Sequence, residues 1–195
     1  MGTFLSPAPK TCCSVTGRRT TVRGVVEPDE IRTERLVLSR LEPTDADVFI
    51  AVHSAPEAYP HDGWSRRTAD QARELFVNFR QNWAVDGIGY WTIRLAETAE
   101  VIGFGGVRHS LEEGEPVLNL AYRLWPSAWG RGYAPEMARA AVSWAQRHRP
   151  DRPVVIVTDV GNTPSIRVAE KLGFARVLER RRDDRPEVLF RLPAR

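Results

Sequence analysis

Cysteine is almost absent from this sequence: of 195 residues, only Cys12 and Cys13 carry a thiol. Two adjacent cysteines with no second ligand pair exclude both a disulfide framework and a zinc site, and they read as free thiols on a tail. Also missing is any apolar run of the roughly 20 residues needed to cross a bilayer, and the first residues lack the basic-then-apolar pattern of a secretory leader. The expectation is therefore a cytoplasmic protein without a membrane partner. The four histidines, His53, His61, His109 and His148, show no metal-ligand spacing, so no metal is expected. There is no internal repeat and no block of like charge. The formal charge is +3, and the arginines are scattered through helices, turns and the last segment. That pattern reads as a solvated basic surface ahead of a nucleic-acid face, and it would equally suit a polyanionic small molecule.

What is present is one globular domain's worth of apolar residues, 42% of the chain, with no break in composition after the start. Residues 1–30 mix Pro, Thr, Ser, Gly and Arg without lasting periodicity and read as a disordered tail, leaving 31–195 as the domain. Leu36, Val37, Leu38 and Leu41 mark a strand, and Pro43 with Thr44 opens a short helix carrying Val48, Phe49 and Val52. Thr68 and Gln71 have capping-box spacing ahead of Ala72, Leu75, Phe76, Phe79 and Trp83 at helical intervals. Strands at 90–95 and 101–107 form a hairpin around Glu97 to Glu100, and a third, 117–125, follows a turn at Glu112 to Pro116.

Met137, Ala140, Ala141, Trp144 and Ala145 predict a helix that packs one face. Val154 to Val157 reads as a strand buried on both sides. Strand, helix and strand in this order predict a right-handed crossover, with 117–125 and 154–158 parallel. A helix near 164–172, with Pro in its first turn and Gly173 past its end, precedes strands near 175–181 and 187–192. The fold class is thus α/β, a twisted and mostly antiparallel sheet of about six to seven strands with one parallel central pair and about four helices.

The sharpest local feature is Trp129-Gly130-Arg131-Gly132-Tyr133-Ala134-Pro135 between a strand and a helix. Glycines there let the backbone aim its N–H groups into one concavity, and the helix dipole adds attraction for an anion such as a pyrophosphate. The same glycines also fit an ordinary strand-to-helix turn, and they do not decide by themselves.

Four segments in order carry a resemblance: Thr33 to Leu38, Ile102-Gly103-Phe104-Gly105-Gly106, Trp129 to Ala134, and Asn162-Thr163-Pro164-Ser165 through Glu170-Lys171-Leu172-Gly173-Phe174. Together they are similar to the GNAT superfamily of N-acetyltransferases, in particular to the branch of the ribosomal-protein alanine N-acetyltransferases, over about residues 31 to 192. The resemblance implies acetyl-CoA as co-substrate, its pyrophosphate held by the N–H groups of Gly130 to Ala134, with Trp129 at the family's usual Arg/Gln position. Pro135 has no N–H to add. It further implies a GNAT-like sheet whose two central parallel strands splay apart. The pantetheine arm would then bond the main chain of Arg123, Leu124 and Trp125, with an N–H such as that of Leu124 free for the oxyanion. Asn162 would contact the CoA arm, and Ser165 would protonate the leaving thiolate. Asn162 as a plain helix cap stays open, as does core packing for Leu124 and Trp125.

The sequence departs from many relatives at two places. Phe174 stands where a Tyr acid is expected, and Asn119 stands where a Glu base is expected. An amide holds a water but takes no proton. Without a strong base the site is easier to reconcile with an α-amine of pKa about 8, on a peptide N-terminus or small molecule, than with a lysine at about 10.4. Tyr122 would border the acceptor site, and Tyr59, His61 and Trp64 lie in a loop that flanks the acceptor cleft in the family. With no core cysteine as nucleophile, the amine would attack acetyl-CoA directly in a ternary complex. An acyl-CoA-binding protein without turnover remains an alternative, as does a basic nucleic-acid-binding module. The residues do not name the acceptor, and a homodimer is implied by the resemblance alone.

Overall fold

The computed structural model describes residues 30–193. Of the segment 1–30 expected to be a tail, residues 1–29, with Cys12 and Cys13, lie outside the described residues, while Glu30 begins the first strand. Eight strands form one sheet: β1 (Glu30–Arg32), β2 (Leu36–Arg40), β3 (Tyr90–Leu95), β4 (Val101–Glu112), β5 (Glu115–Leu124), β6 (Val154–Asp159), β7 (Ala175–Arg182) and β8 (Arg185–Arg191). Their spatial order is β1-β2-β3-β4-β5-β6-β8-β7. Four α-helices accompany them: α1 (Ala46–Ser54), α2 (Ala69–Asp86), α3 (Tyr133–His148) and α4 (Thr163–Lys171).

The sheet has one strand more than the sequence predicts. β1 is three residues long and pairs along the edge of β2, with Ile31 opposite Leu38; so short a strand leaves no period-two pattern to read. The β4–β5 hairpin also runs further than expected. Glu112 pairs with Glu115 and Leu111 with Pro116, so the turn shrinks to Glu113 and Gly114.

Local signals place the other elements as expected. Thr68 Oγ1 accepts the N–H of Gln71 at 3.2 Å while Gln71 Oε1 accepts the N–H of Thr68 at 3.0 Å, closing a capping box at the start of α2. Side-chain alternation along β5 then divides the core between two faces. Leu118, Leu120 and Leu124 pack with Met137, Ala141 and Trp144 of α3, whereas Ala121 and Trp125 pack with Phe49, Phe76, Phe79 and Phe104 under α1 and α2. Gly103 permits the close contact of β4 and β5, because a Cβ there would lie 2.2 Å from the Arg123 carbonyl.

Two polar groups are buried at α1, and the first ties its start to the sheet. Asp45, 2% exposed, accepts from Thr92 Oγ1 at 2.7 Å and from the Glu42 N–H, and it pairs with Arg94. His53, 7% exposed, stacks on Phe49 with ring centroids 3.9 Å apart, and its Nδ1–H donates to the Phe49 carbonyl at 2.9 Å. Burial, helped by the charges of Arg123 and Arg67, lowers its pKa to about 4.

Two outcomes follow for stability. Removing one partner of a buried ion pair strands the other, so Asp45→Ala is expected to cost about 3 to 5 kcal/mol in urea unfolding. For His53 the unfolded ring binds a proton below a pH of about 6.5 while the folded ring stays neutral down to about 4. Its contribution is therefore intact above that window and falls away on acidification, by about 3 kcal/mol in full. Unfolding curves between these pH values should show the slope, and His53→Gln should lose that component.

Candidate active site

β5 and β6 are parallel neighbours, but their pairing covers only Leu118 with Val154 and Asn119 with Val155. Beyond Asn119 the ladder ends, while β6 goes on to pair with β8 from Val155 to Asp159. The remaining half of β5 therefore borders a gap. Which main-chain groups enter it follows from strand geometry. The N–H of Leu118 donates to Pro153 on the β6 side at 2.9 Å, and the N–H of Trp125 donates to Ile102 on the β4 side at 2.9 Å. Successive residues alternate, so Leu120, Tyr122 and Leu124 direct their N–H groups toward the gap, whereas Arg123 and Trp125 turn theirs toward β4.

This corrects the expectation for Arg123, Leu124 and Trp125. Of these three, Leu124 alone presents its N–H to the opening. Its carbonyl is already taken, accepting from the Trp129 indole Nε1 at 3.0 Å. Trp129 thus fastens the end of β5 to the following loop, while its residue stays 43% exposed.

That loop opens α3. Gly132, at φ 81°, is the N-cap residue in the left-handed conformation, and Gly130 is at φ 72°. Tyr133 and Ala134 begin the helix, where N–H groups have no partner within the helix; Pro135 supplies none. Around this mouth Arg35 donates from Nη1 to the Arg131 carbonyl at 2.9 Å and from Nε to Glu136 at 2.8 Å, and its guanidinium lies 4.9 Å from the Tyr133 ring. Glu136 also accepts from Thr33 Oγ1 at 2.6 Å and from the Arg35 N–H at 2.9 Å. The hydrogen bond and charge of Glu136 raise the pKa of Arg35. Sequence reasoning gave Arg35 no role in this mouth; its partner is 101 positions away, and no local signal connects them.

Across the gap, Asn162 Oδ1 accepts the Ser165 N–H at 3.3 Å, so Asn162 caps α4. The Ser165 hydroxyl is hydrogen-bonded to the phenol of Tyr122 on β5, and burial raises the Tyr122 pKa against that bond. The two candidates thus meet, one from each side of the opening. Phe174, 5% exposed, lies in the core, as expected for a residue without a proton to give.

The loop between α1 and α2 is pinned to β5 by Arg123. Its guanidinium donates to the Ala58 carbonyl at 2.7 Å, forms a two-point pair with Asp62, and stands 3.8 Å over the Tyr59 ring. Asp62 is held further by Ser65 Oγ at 2.7 Å. Burial is the main cause of the raised Tyr59 pKa. Trp64, 52% exposed, carries the Arg185 guanidinium 4.2 Å over its ring, so the loop meets the β7–β8 turn. His61 is exposed on the same loop and is not drawn into this clamp.

The arginines of the last segment do not form a bare basic face. Arg180 pairs with Glu112, Glu113 and Glu187, Arg182 with Glu112 and Glu187, and Arg191 with Glu115. No group of three or more His, Cys, Asp or Glu suited to a metal occurs among the described residues, nor does any helix long and apolar enough to cross a membrane.

The chain is similar to known proteins in sequence and in fold. A profile of the acetyltransferase (GNAT) domain matches residues 35–175. The uncharacterized protein YkkB of Bacillus subtilis is 31% identical over 144 residues, spanning 73% of this chain and 83% of its own. The crystal structure of an acetyltransferase from Agrobacterium tumefaciens superposes with a TM-score of 0.72 at 29% identity, over 84% of this chain and 94% of its own. The ribosomal L7/L12 α-N-protein acetyltransferase RimL, solved in complex with coenzyme A, shares the fold at a TM-score of 0.68 and 14% identity, over 83% of this chain and 96% of its own. A sheet parted at its parallel pair, a glycine-opened helix mouth beside the parting and a profile match over most of the domain agree: this chain belongs to the GNAT family of acetyl-CoA-dependent acetyltransferases.

Proposed function

We propose that this enzyme acetylates a primary α-amine, on a peptide N-terminus or a small molecule, by direct attack on acetyl-CoA in a ternary complex. The observation that carries the reading is the end of β5–β6 pairing after Asn119 and Val155, which leaves the N–H groups of Leu120, Tyr122 and Leu124 facing an opening next to the α3 mouth. Buried N–H groups need partners, and amide carbonyls of a pantetheine arm are suitable acceptors. The residues around the opening fit such a molecule. The N–H groups of Gly130 to Ala134 and the α3 dipole favour a diphosphate, with Arg35 and Arg131 alongside. That RimL was solved with coenzyme A bound supports the same use of the fold here.

In this mechanism the chain supplies position and polarity. A gap-facing N–H, that of Leu124 or of Tyr122, stabilises the oxyanion as the amine nitrogen bonds to the thioester carbon. Ser165 gives its proton to the departing thiolate and is reprotonated through Tyr122, the phenol it already contacts. Asn119 holds a water that carries off the ammonium proton. Arg123, Asp62 and Tyr59 keep the acceptor-side loop against β5, with Trp64 at the rim and His61 outside the clamp.

The pairing of Arg180, Arg182 and Arg191 with carboxylates weighs against a nucleic-acid surface. A CoA-binding protein without turnover is separated by the assay itself: coenzyme A release and product mass over a panel of amines, with titration calorimetry for coenzyme A. Uptake of coenzyme A with no acetylated amine would favour it, and no uptake would end both readings.

Gly132→Val places a branched side chain at a left-handed position beside Arg35 and is expected to weaken coenzyme A binding about tenfold or more by calorimetry. Ser165→Ala is expected to lower kcat by about a hundredfold, the scale of general acid catalysis, with little change in coenzyme A affinity. The pH profile of kcat/KM should follow the acceptor's own ionisation. His53 is already neutral above a pH of about 4, and burial holds Tyr59 and Tyr122 above their usual range, so these three add no inflection near neutrality.

A further inference from the structure

Two buried polar atoms on the acceptor-side face lack partners, and they are complementary. They are Arg108 Nε, a donor, and Asn119 Oδ1, an acceptor. The two residues are register partners across β4 and β5, so both side chains stand on one face. That face also carries Phe104, Ala121 and the Arg123 clamp. Asn119 is moreover the last β5 residue paired with β6, which puts the pair at the apex of the opening.

Arg108 differs from three other partly buried arginines. Arg94 has Asp45, Arg123 has Asp62 and Arg180 has Glu112, whereas no carboxylate pairs with Arg108 among the described residues. Its hydrogen bond goes to the phenol of Tyr90, whose pKa burial raises against the pull of the guanidinium. A guanidinium with a buried, unpartnered Nε and no carboxylate pair, beside an orphaned amide oxygen, suits a ligand with an acceptor and a donor close together.

Resting on the proposed amine acetylation, we propose that Arg108 and Asn119 form a subsite that selects acceptors of the α-aminoacyl type. Asn119 Oδ1 accepts an N–H of the reacting amine, and Arg108 Nε donates to the oxygen on the neighbouring carbonyl carbon. An α-amine and its adjacent C=O supply this donor and acceptor three bonds apart, through the α-carbon and the carbonyl carbon. The oxygen belongs either to a free amino-acid carboxylate or to the first carbonyl of a peptide. Alkylamines and polyamines lack it and would leave Arg108 unpaired. Sites built to hydrogen-bond a substrate group reject analogues without that group far more strongly than apolar pockets reject a missing methylene.

The test compares kcat/KM for L-alanine, an alanine-headed peptide amide, propylamine and spermidine, each corrected to the concentration of neutral amine. The wild-type enzyme is expected to prefer at least one alanine acceptor over propylamine by about a hundredfold. The better of the two alanine acceptors identifies the source of the oxygen. Arg108→Lys keeps a charge but lacks the Nε–H and is expected to reduce that preference about tenfold or more, whereas Asn119→Ala removes the acceptor for an N–H that every amine carries and is expected to lower all four activities together. Thermal shift with coenzyme A checks that both variants are folded. Equal use of propylamine and the alanine acceptors by the wild type would overturn the inference, as would an Arg108→Lys variant that loses all activities in the same proportion. In those cases amine acetylation itself stands. Binding of coenzyme A with no amine acetylated would instead remove the proposed function, and this inference with it.

Discussion

Two adjacent strands that share a sheet yet hydrogen-bond at only two register positions set the terms for the rest of this structure. Main-chain groups that leave a ladder inside a protein must find other partners. β6 finds them on its far side, where it pairs with β8 from Val155 to Asp159. β5 has β4 on its far side, with Gly103 allowing the close contact there, so every second residue beyond Asn119 is left facing the parting. The feature is therefore a property of strand alternation and register. No single side chain creates it.

Around the parting, paired charges fix geometry. Arg35 with Glu136 holds the α3 mouth against the start of β2, and Arg123 with Asp62 holds the α1–α2 loop against β5. Both arginines also lie near a tyrosine ring, Tyr133 and Tyr59 respectively. A planar guanidinium can hydrogen-bond along its edge while stacking through its face. Arginine used in this way spends its charge on the scaffold.

Much of the architecture was legible because its signals are local. The Thr68 and Gln71 spacing, the helical period from Met137 to Ala145 and the glycines flanking Arg131 all act within a few residues. β1 was not legible because three residues carry no period. The direction of the Trp125 N–H was not legible because it depends on pairing with Ile102, a register that hydrophobic pattern does not specify to one residue. For Asn162 the sequence left two readings open; capping of Ser165 is now visible, and the second amide atom remains for other use. Arg108 was passed over entirely, since its interest lies in the absence of a counter-ion, which only the folded neighbourhood reveals.

The bond between Arg35 and Glu136 spans 101 positions of sequence, and that span has a bearing on how the protein is made. At a translation rate of roughly 5 to 20 residues per second, the first strand emerges several seconds before the start of α3. Until then Arg35 has no Glu136, and the start of β2 has no helix mouth to join. A segment that emerges early is thus held by one that emerges late, so a product cut short before α3 would lack this anchor at the start of β2.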